Sequence, residues 1–529
     1  MTESTAESTS DRRSKLDGLC LLIPLSGSKN HLIGLIERAL GVRAPVGDPA
    51  TIEALGTRYT GQTDEADAVR KRIDRVARKG LPQAWVGETS VLASEVVSAA
   101  TRDVDQLIEA FRRGGTALVT LADALTAAQA LDAAGRVKLH DARTMLGGKD
   151  NFLDDLIETD EEEALRKRAR ALATAGVEDL CCAAADIDDA ARAAARELNK
   201  FAAEARAGHM ATDELTAADR LVLADTSNTR GDRELNEILS ANDLARAGSA
   251  MEKLSPDERA RMEALLASAK SPQERAYLMK ALAAGYGIAD VETFGQKIQG
   301  KDAVWLQSHL APVTTGFVSL GDTREDQGFR GEKWAQDGST CVPSSTVTAR
   351  AYVDPVYALQ LTGGPTGQDE DPAHFRDRLH DEQNRMHWEG DGSWKIEFPD
   401  VVPTGMDPDG QEEISDKELG PHTGDSYEPQ EMKTPADRRD ILPDIEKSVA
   451  EGRPVPVNIS STVDGEHHGH SLIIIGQEGD RLQVYNPWGA TSWISEDQFI
   501  RGDLESVTDD RFSKEKHNAD LNTVYIKQG

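Results

Sequence analysis

The sequence contains a cysteine, a histidine and an asparagine whose order and surroundings suit nucleophilic catalysis. Cys341 lies in the polar, turn-rich segment KWAQDGSTCVPSSTVTARAYV, just before residues that can form a helix. His470 precedes the apolar run of GHSLIIIG, and Asn486 ends the strand-like run of RLQVYNPWG. A thiolate at a helix start is stabilised by free backbone N–H groups and by the helix dipole. We therefore expect Cys341 to be a nucleophile.

The spacing of the histidine and the asparagine predicts that the two side chains meet. Their apolar runs are separated by GQEGD, which is typical of a hairpin between two antiparallel strands, so His470 and Asn486 should lie side by side at one end of a sheet. In that arrangement the histidine takes the thiol proton and forms an ion pair with the thiolate, and the asparagine fixes the ring tautomer. Gln336, five residues before Cys341, is a candidate donor to an oxyanion.

Residues 325–529 resemble the papain-like cysteine peptidases, including the calpain-like enzymes. The resemblance lies in GHSLIIIG and YNPWG, which look like the histidine and asparagine strands of that family. It implies an α+β fold with Cys341 as nucleophile, His470 as base, Asn486 as the group that orients the histidine, and Gln336 in the oxyanion hole. Two features depart from the family. Its glutamine stands six residues before the cysteine, and Val342-Pro343 replaces the usual Gly or Trp, which leaves the shape of the oxyanion hole open.

Two segments of the sequence contain possible metal ligands. His467, His468 and His470 form a cluster, but adjacent residues of a strand point to opposite faces, and no suitable Asp, Glu or Cys partner stands out. His467 and His468 are therefore expected to be exposed loop residues. The segment DPDGQEE, residues 407–413, lacks the ligand order of an EF-hand and is expected to be a solvated acidic loop. We predict neither a metal nor a cofactor.

Three readings of the site remain open on the sequence alone. A Cys-His-Asn triad hydrolyses amide bonds through a thioester, and the same triad performs acyl transfer or glutamine deamidation, in which the leaving group is ammonia. A third reading is an inert domain with a buried cysteine, a capping histidine and a turn asparagine. The protein would then act through its helices as a non-catalytic interaction protein.

The N-terminal half has the pattern of long helices. From about Ala54 to Leu146 the sequence is strongly helical, and apolar residues recur every seven positions along one seam. The seam consists of Val97, Val104, Phe111, Leu118 and Leu125, with Ala100, Leu107, Gly114, Leu121 and Ala128 three residues after each. Gly114-Gly115 is a position where this helix can kink.

A turn with Trp85 and Gly87 stands between two helical segments, DEADAVRKRIDRVARK and the seam helix. Residues 50–147 therefore resemble the WXG-type helical hairpin of proteins exported by the bacterial type VII secretion system. The resemblance implies export without a cleaved signal peptide and a helical partner or secretion machinery that binds residues 50–147. A cytoplasmic location stays open as the alternative.

Composition excludes several classes of partner. The 529 residues include 92 acidic and 60 basic side chains, which gives a formal net charge of −32. Such a surface repels phosphate backbones and anionic membranes, so we expect no nucleic acid partner. The N-terminal sequence MTESTAESTSDRRSKLD is expected to be a disordered leader, and the run LCLLIPL is too short to span a bilayer. We therefore predict no membrane span.

The changes in composition predict a multidomain protein with an all-α N-terminal half and an α+β, papain-like C-terminal domain. The expected boundaries are a leader and linker at 1–49, the hairpin at 50–147, a region of short helices at 150–310 and the catalytic domain at 320–529. An acidic insertion with little regular structure is expected at about 365–440. By architectural analogy this assembly suits a secreted effector or toxin with a protein or peptide substrate and an immunity protein as partner.

Overall fold

A computed structural model describes residues 9–76, 79, 88–149, 159–208, 238–311, 313, 324–397 and 400–527. The N-terminal half is helical, and the C-terminal part combines helices with an antiparallel sheet, as the sequence predicts. Trp85 and Gly87 lie outside the described residues, so the WXG-like turn stays a prediction. The chain forms two compact units, one from Met1–Thr63 with Glu109–Leu198 and the other from Asp64–Ile108 with Asn199–Gly529.

Helices account for the described N-terminal half. They are α1 (Thr9–Leu22), α2 (Lys29–Gly41), α3 (Pro49–Arg75), α4 (Glu88–Leu146) and α5 (Asp160–Gly208). The prediction of a disordered leader is wrong from Thr9 onward. Leu16 of α1 and Leu32 of α2 are buried in one core with Leu139 and Leu180, because each short helix carries one apolar face.

The long helix α4 confirms the predicted seam helix, and the part of the seam at Leu125 and Ala128 packs against another helix of the same chain. Leu125 and Ala128 of α4 form a buried cluster with Ala183 and Ile187 of α5. The seam therefore contributes to an intramolecular core in this part of the molecule. Among the described residues, one segment, Leu107–Leu146, is long and apolar enough to cross a membrane by length and composition alone. This is weak evidence for a membrane span, because the core helices of soluble proteins meet the same test.

Glycines on the long helices mark places where two backbones come close. A Cβ on Gly115 of α4 would lie 2.7 Å from the carbonyl oxygen of Gly56 in α3. A Cβ on Gly135 of α4 would lie 2.6 Å from the carbonyl oxygen of Gly176 in α5. Real Cβ atoms do not approach that closely, so these positions exclude a side chain. The Gly114-Gly115 pair lies within the continuous helix α4. Its glycines permit close helix packing, so a kink is not needed to explain their presence.

Short helices precede the sheet region and share its compact unit. They are α6 (Ala241–Lys253), α7 (Pro256–Ser268), α8 (Pro272–Ala283), α9 (Ile288–Ile298) and α10 (Ala303–Leu310). The short helical pieces predicted for 150–310 are confirmed here, but residues 160–208 form the single helix α5. Phe294 and Leu310 share one buried core with Leu359. This core therefore continues across the domain boundary that the sequence predicts near residues 310–325.

The main sheet is antiparallel and, in the described residues, has seven strands in the order β1-β10-β9-β8-β7-β11-β6. Its strands are β1 (Glu325–Asp326), β6 (Pro429–Glu431), β7 (Val455–Val463), β8 (Glu466–Glu478), β9 (Arg481–Asn486), β10 (Ala490–Ser495) and β11 (Asp520–Tyr525). Two small hairpins flank it, β2 (Gly328–Phe329) with β3 (Glu332–Lys333), and β4 (Ser393–Glu397) with β5 (Asp400–Gly405).

Helices of this region cover the sheet and include the residues predicted to be an irregular insertion. They are α11 (Cys341–Val353), α12 (Pro355–Gly363), α13 (Pro372–Glu389), α14 (Pro408–Glu418), α15 (Gly420–Thr423), α16 (Pro435–Ala450), α17 (Glu496–Arg501) and α18 (Lys514–His517). The prediction of little regular structure at 365–440 is wrong, because capped helices form despite the acidic composition. Residues 407–413 begin α14, where Asp407 accepts a hydrogen bond from the Gly410 N–H group and caps the helix.

The close helix contact at Gly135 can be tested against a glycine in open space. Gly135→Ala should lower the free energy of unfolding of this unit by about 1–3 kcal/mol, because the new methyl group overlaps the α5 backbone. Gly34→Ala in α2 is the matched control. No atom lies within 4 Å of its Cβ position, so it should raise stability by up to about 1 kcal/mol. Hydrogen exchange of the peptides around Gly176, measured by mass spectrometry, gives the readout, and equal protection in both variants would contradict the close contact.

Candidate active site

Cys341 is the first residue of α11, as the sequence predicts, and the helix is held firmly in the fold. Most side chains of α11 are buried, including Val342, Ser345 and Val347. The Ser345 hydroxyl donates to the carbonyl oxygen of Ser471 on β8, at 3.1 Å. The helix that presents the thiol is therefore bonded directly to the residue that follows His470.

The loop before Cys341 is fixed by a buried glutamine of α13. Gln383 accepts from the Asp337 N–H group at 3.0 Å and from the Thr340 hydroxyl at 3.1 Å, and it donates to the Ala335 carbonyl oxygen at 3.0 Å. Gln383 is completely buried, so these bonds replace those with water. Sequence reasoning missed this residue because it lies in the segment interpreted as an insertion, more than forty residues from the loop.

His470, inside β8, and Asn486, the last residue of β9, lie side by side as the hairpin pattern predicts, although His470 does not begin its strand. Strands β8 and β9 pair antiparallel, with Glu478 opposite Arg481 across the two-residue turn. His470 Nε2 lies 3.0 Å from Asn486 Oδ1. The asparagine amide donates to the Val507 carbonyl oxygen at 2.7 Å, which directs Oδ1 toward the ring. Because an amide oxygen only accepts, Nε2 of His470 carries the proton.

Two aromatic rings stack on the His470 ring. Trp488 stacks on it with ring centroids 4.6 Å apart and planes inclined by 25°. Phe512 stacks on it with centroids 5.5 Å apart and planes inclined by 28°. The two rings exclude water from the bond to Asn486 and restrict rotation of the imidazole. Phe512 was not anticipated from the sequence, since it lies in DDRF, a segment without a motif.

One cavity of about 240 Å³ brings the predicted residues together. Cys341, His470 and Gln336 all line it. Thr404 and Gly405, at the end of β5, line it from the small hairpin. Asn486 is buried behind His470, with 2 % of its surface exposed. The nucleophile and base candidates therefore face a common space that a substrate can enter.

Gln336 lies at this cavity with its amide partly engaged. Its backbone N–H group donates to the Pro487 carbonyl oxygen at 2.6 Å, and its Nε2 donates to the Gly338 carbonyl oxygen at 2.6 Å. The side-chain oxygen is buried and has no hydrogen-bond partner among the described residues. An amide nitrogen carries two hydrogens, so one N–H remains for an oxyanion.

Burial shifts both titratable groups toward their neutral forms. It raises the pKa of the Cys341 thiol, and the N–H groups of Ser471, Val342 and Cys341 only partly oppose that shift. It lowers the pKa of His470 to about 4, against the smaller effect of the Asn486 hydrogen bond. Burial therefore works against the expected thiolate–imidazolium pair. Loss of solvation outweighs the stabilisation that the helix start gives to the thiolate.

His467 and His468 are not loop residues. Both belong to β8, where they pair with Thr462 and Ser461 of β7. As neighbours on a strand they project to opposite faces of the sheet. Among the described residues, no group of three or more His, Cys, Asp or Glu side chains is arranged to hold a metal ion.

An ion pair stands next to the histidine at the same cavity. Arg511 lines the cavity, and its guanidinium lies 5.3 Å from the centroid of the Trp488 ring. Asp509 accepts from Arg511 Nη2 at 2.8 Å. Both charges act on the pKa of His470, Arg511 by lowering it and Asp509 by raising it, and both act less than burial does. Sequence reasoning missed this pair, because nothing in DDRF associates it with His470.

No protein-family model, curated protein or solved structure matches the chain. Three observations define the candidate site: a cysteine at the start of a buried helix, a histidine whose tautomer is fixed by an asparagine, and a shared cavity between them.

Proposed function

We propose that the C-terminal α+β region is a papain-like thiol hydrolase that cleaves amide bonds of a protein or peptide substrate. The observation that carries the proposal is the hydrogen bond from His470 to Asn486 at a cavity that Cys341 also lines. The bond uses Nε2, which leaves Nδ1 as the basic nitrogen of the ring. A base with a fixed tautomer and a thiol at one cavity are the two groups that nucleophilic catalysis requires.

The reaction begins when Cys341 Sγ attacks the carbonyl carbon of the substrate and its proton passes to Nδ1 of His470. The carbonyl oxygen becomes an oxyanion, which the N–H groups at the start of α11 and the Gln336 amide stabilise. The C–N bond then breaks, and the leaving amine takes the proton from His470. Water attacks the resulting thioester with His470 as base, which releases the acid and restores the thiol.

Because burial favours the neutral forms of both groups, the proton transfer accompanies the attack in this proposal. The charged forms arise only when the substrate fills the cavity and the developing oxyanion and imidazolium stabilise each other. Asn486 accepts from the imidazolium during this step, and the stacked rings hold it in place. In this role the asparagine orients a group that reacts and takes no proton itself.

Glutamine deamidation and transglutamination use the same steps with ammonia as the leaving group, so product analysis separates them from peptide cleavage. The full chain is incubated with an unfolded protein, and the products are examined for new N-termini and for released ammonia. New termini that depend on Cys341 support the peptidase, whereas ammonia without new termini favours the deamidase. Neither product, with an unreactive Cys341, favours an inert domain and a non-catalytic interaction protein.

For the N-terminal helices we propose a role in delivery. Helices α3 and α4 flank residues 85–87, as a WXG-type hairpin of type VII secreted proteins requires. In this proposal residues 50–147 bind the secretion machinery or a helical partner, and the protein is a secreted bacterial effector or toxin with an immunity protein. The acidic net charge of −32 supports a protein partner over nucleic acid.

The protonation state of His470 can be measured by hydrogen–deuterium exchange at its C2 position, followed by mass spectrometry. In the wild-type chain the midpoint should lie near pH 4, because the buried ring resists charging. Cys341→Ala is the matched variant and should leave that midpoint in place. A wild-type midpoint well above 7 that falls in Cys341→Ala would instead demonstrate an ion pair with the thiolate.

Substitutions of the triad should rank by role. Cys341→Ala should abolish amide cleavage, and His470→Ala should reduce it nearly as much, because the base is lost. Asn486→Ala should cost less, about 2–4 kcal/mol of transition-state stabilisation or roughly 30-fold to 1000-fold in rate, because the stacked rings still restrain the imidazole. Cleavage rates of one peptide measure all three. Asn486→Ala at wild-type rate would remove the asparagine from the mechanism.

The variant Gln336→Ala distinguishes stabilisation of the oxyanion from reactivity of the Cys341 thiol. It should reduce kcat by on the order of 100-fold to 1000-fold, since one oxyanion donor is lost. Alkylation of Cys341 by iodoacetamide builds no oxyanion and should keep its rate. The two rates are compared in one preparation. If both fall together, Gln336 supports the fold or the thiol, and if neither falls, another donor stabilises the oxyanion.

A further inference from the structure

The candidate active site differs in charge from the rest of the chain. Acidic residues number 92 of 529, yet none of the described residues that line the cavity is Asp or Glu. The lining instead includes Arg511, His467 and His468 near Cys341 and His470. The cavity therefore has a positive side chain at its wall within a protein that is strongly negative overall.

Arg511 is held in a defined orientation. Its Nε and Nη2 donate to Asp509 at 3.0 and 2.8 Å, and its backbone N–H donates to the same carboxylate at 2.9 Å. The guanidinium also lies over the Trp488 ring. Within the part of the chain that the structure describes, these contacts occupy one edge of the guanidinium and leave the Nη1 hydrogens for another acceptor.

We propose that the cavity binds a substrate carboxylate next to the scissile amide, and that Arg511 is the residue that binds it. This inference rests on the proposed hydrolase. A guanidinium offers a planar pair of donors that fits a carboxylate, and ordering by Asp509 and Trp488 lowers the entropic cost of that contact. Acidic side chains at the wall would repel the same group, and the cavity has none among its described residues.

Asp509 modulates the affinity of Arg511 for a substrate carboxylate. It neutralises part of the guanidinium charge but does not itself line the cavity, so an incoming carboxylate meets Arg511 first. Removing the Asp509 charge should therefore strengthen anion binding, and removing the Arg511 charge should weaken it. The two substitutions are predicted to act in opposite directions, which a general loss of folding would not produce.

The test compares two alkylating reagents of similar size, anionic iodoacetate and neutral iodoacetamide. Their rates at Cys341 are measured by mass spectrometry on the full chain, and exposed Cys182 is the internal reference. The rate ratio of iodoacetate to iodoacetamide should be higher at Cys341 than at Cys182. Arg511→Gln should lower the Cys341 ratio about 5-fold to 50-fold, as expected when a unit charge leaves a partly buried site.

Three further variants make the result specific. Asp509→Asn should raise the ratio, and it carries the test if Arg511→Gln does not fold. Arg511→Lys should retain part of the preference, because charge remains but the paired donors are lost. Arg501→Gln makes the same change in net charge at an exposed residue that does not line the cavity, and it should leave the ratio unchanged.

Protection experiments identify the source of the carboxylate. N-acetylglutamate α-amide carries a side-chain carboxylate, N-acetylalanine carries a terminal one, and N-acetylglutamine α-amide carries neither. Slower alkylation of Cys341 by iodoacetamide with the first compound indicates an acidic residue within the substrate, and with the second it indicates a chain terminus. Protection by the neutral compound alone would contradict the proposal.

The outcomes separate this inference from the proposed hydrolase. An unchanged ratio in both Arg511→Gln and Asp509→Asn, with Cys341 still reactive and dependent on His470, overturns the carboxylate site and leaves the hydrolase intact. A Cys341 whose alkylation rate is unchanged by His470→Ala counts against the hydrolase. The ratio remains measurable in that case and still decides whether the cavity favours an anion.

Discussion

The hydrogen bond between His470 and Asn486 depends on the register in which strands β8 and β9 pair. Side chains alternate along a strand, so a slip of one residue would turn His470 to the other face of the sheet. Residues Leu472 and Ile474 of β8 belong to one hydrophobic core, and Ile473 and Ile475 belong to the other. Because β8 is buried on both faces, burial alone does not determine its register. The register is determined by the pairing of β8 with β7 and β9 and by the irregularity between Ile474 and Gly476.

The helix that carries Cys341, the proposed nucleophile, packs on one face of that sheet. Val347 of α11 packs in the same core as Ile473 and Tyr485, and the Ser345 hydroxyl bonds to the backbone next to His470. Cys341 thus belongs to a helix on the sheet and His470 to a strand within it, and both residues line the cavity. His470 is buried and Cys341 is partly buried, and this burial favours the neutral forms of both groups, since charge is costly where water is excluded.

The residues around the triad come from segments that carry no recognisable pattern. Gln383 of α13 fixes the loop before Cys341, β5 forms one wall of the cavity, and Phe512 and Arg511 cover the histidine and its tryptophan. These elements surround the candidate triad. The segment 509–512 supplies the charge at the cavity wall, and Gln383 and β5 support the loop and the opposite wall.

The sequence by itself determined the local elements that position the chemistry. The helix start at Cys341, the hairpin that joins β8 to β9, and the heptads of α4 all follow from turn residues and hydrophobic periodicity, which act over a few residues. Only the tertiary structure decided which distant groups join them. The contacts of Gln383 and Phe512, the burial of α1 and the shift of the Cys341 pKa depend on segments far apart in the chain. Packing and loss of solvent act between elements, and neither leaves a pattern in the residues of one segment.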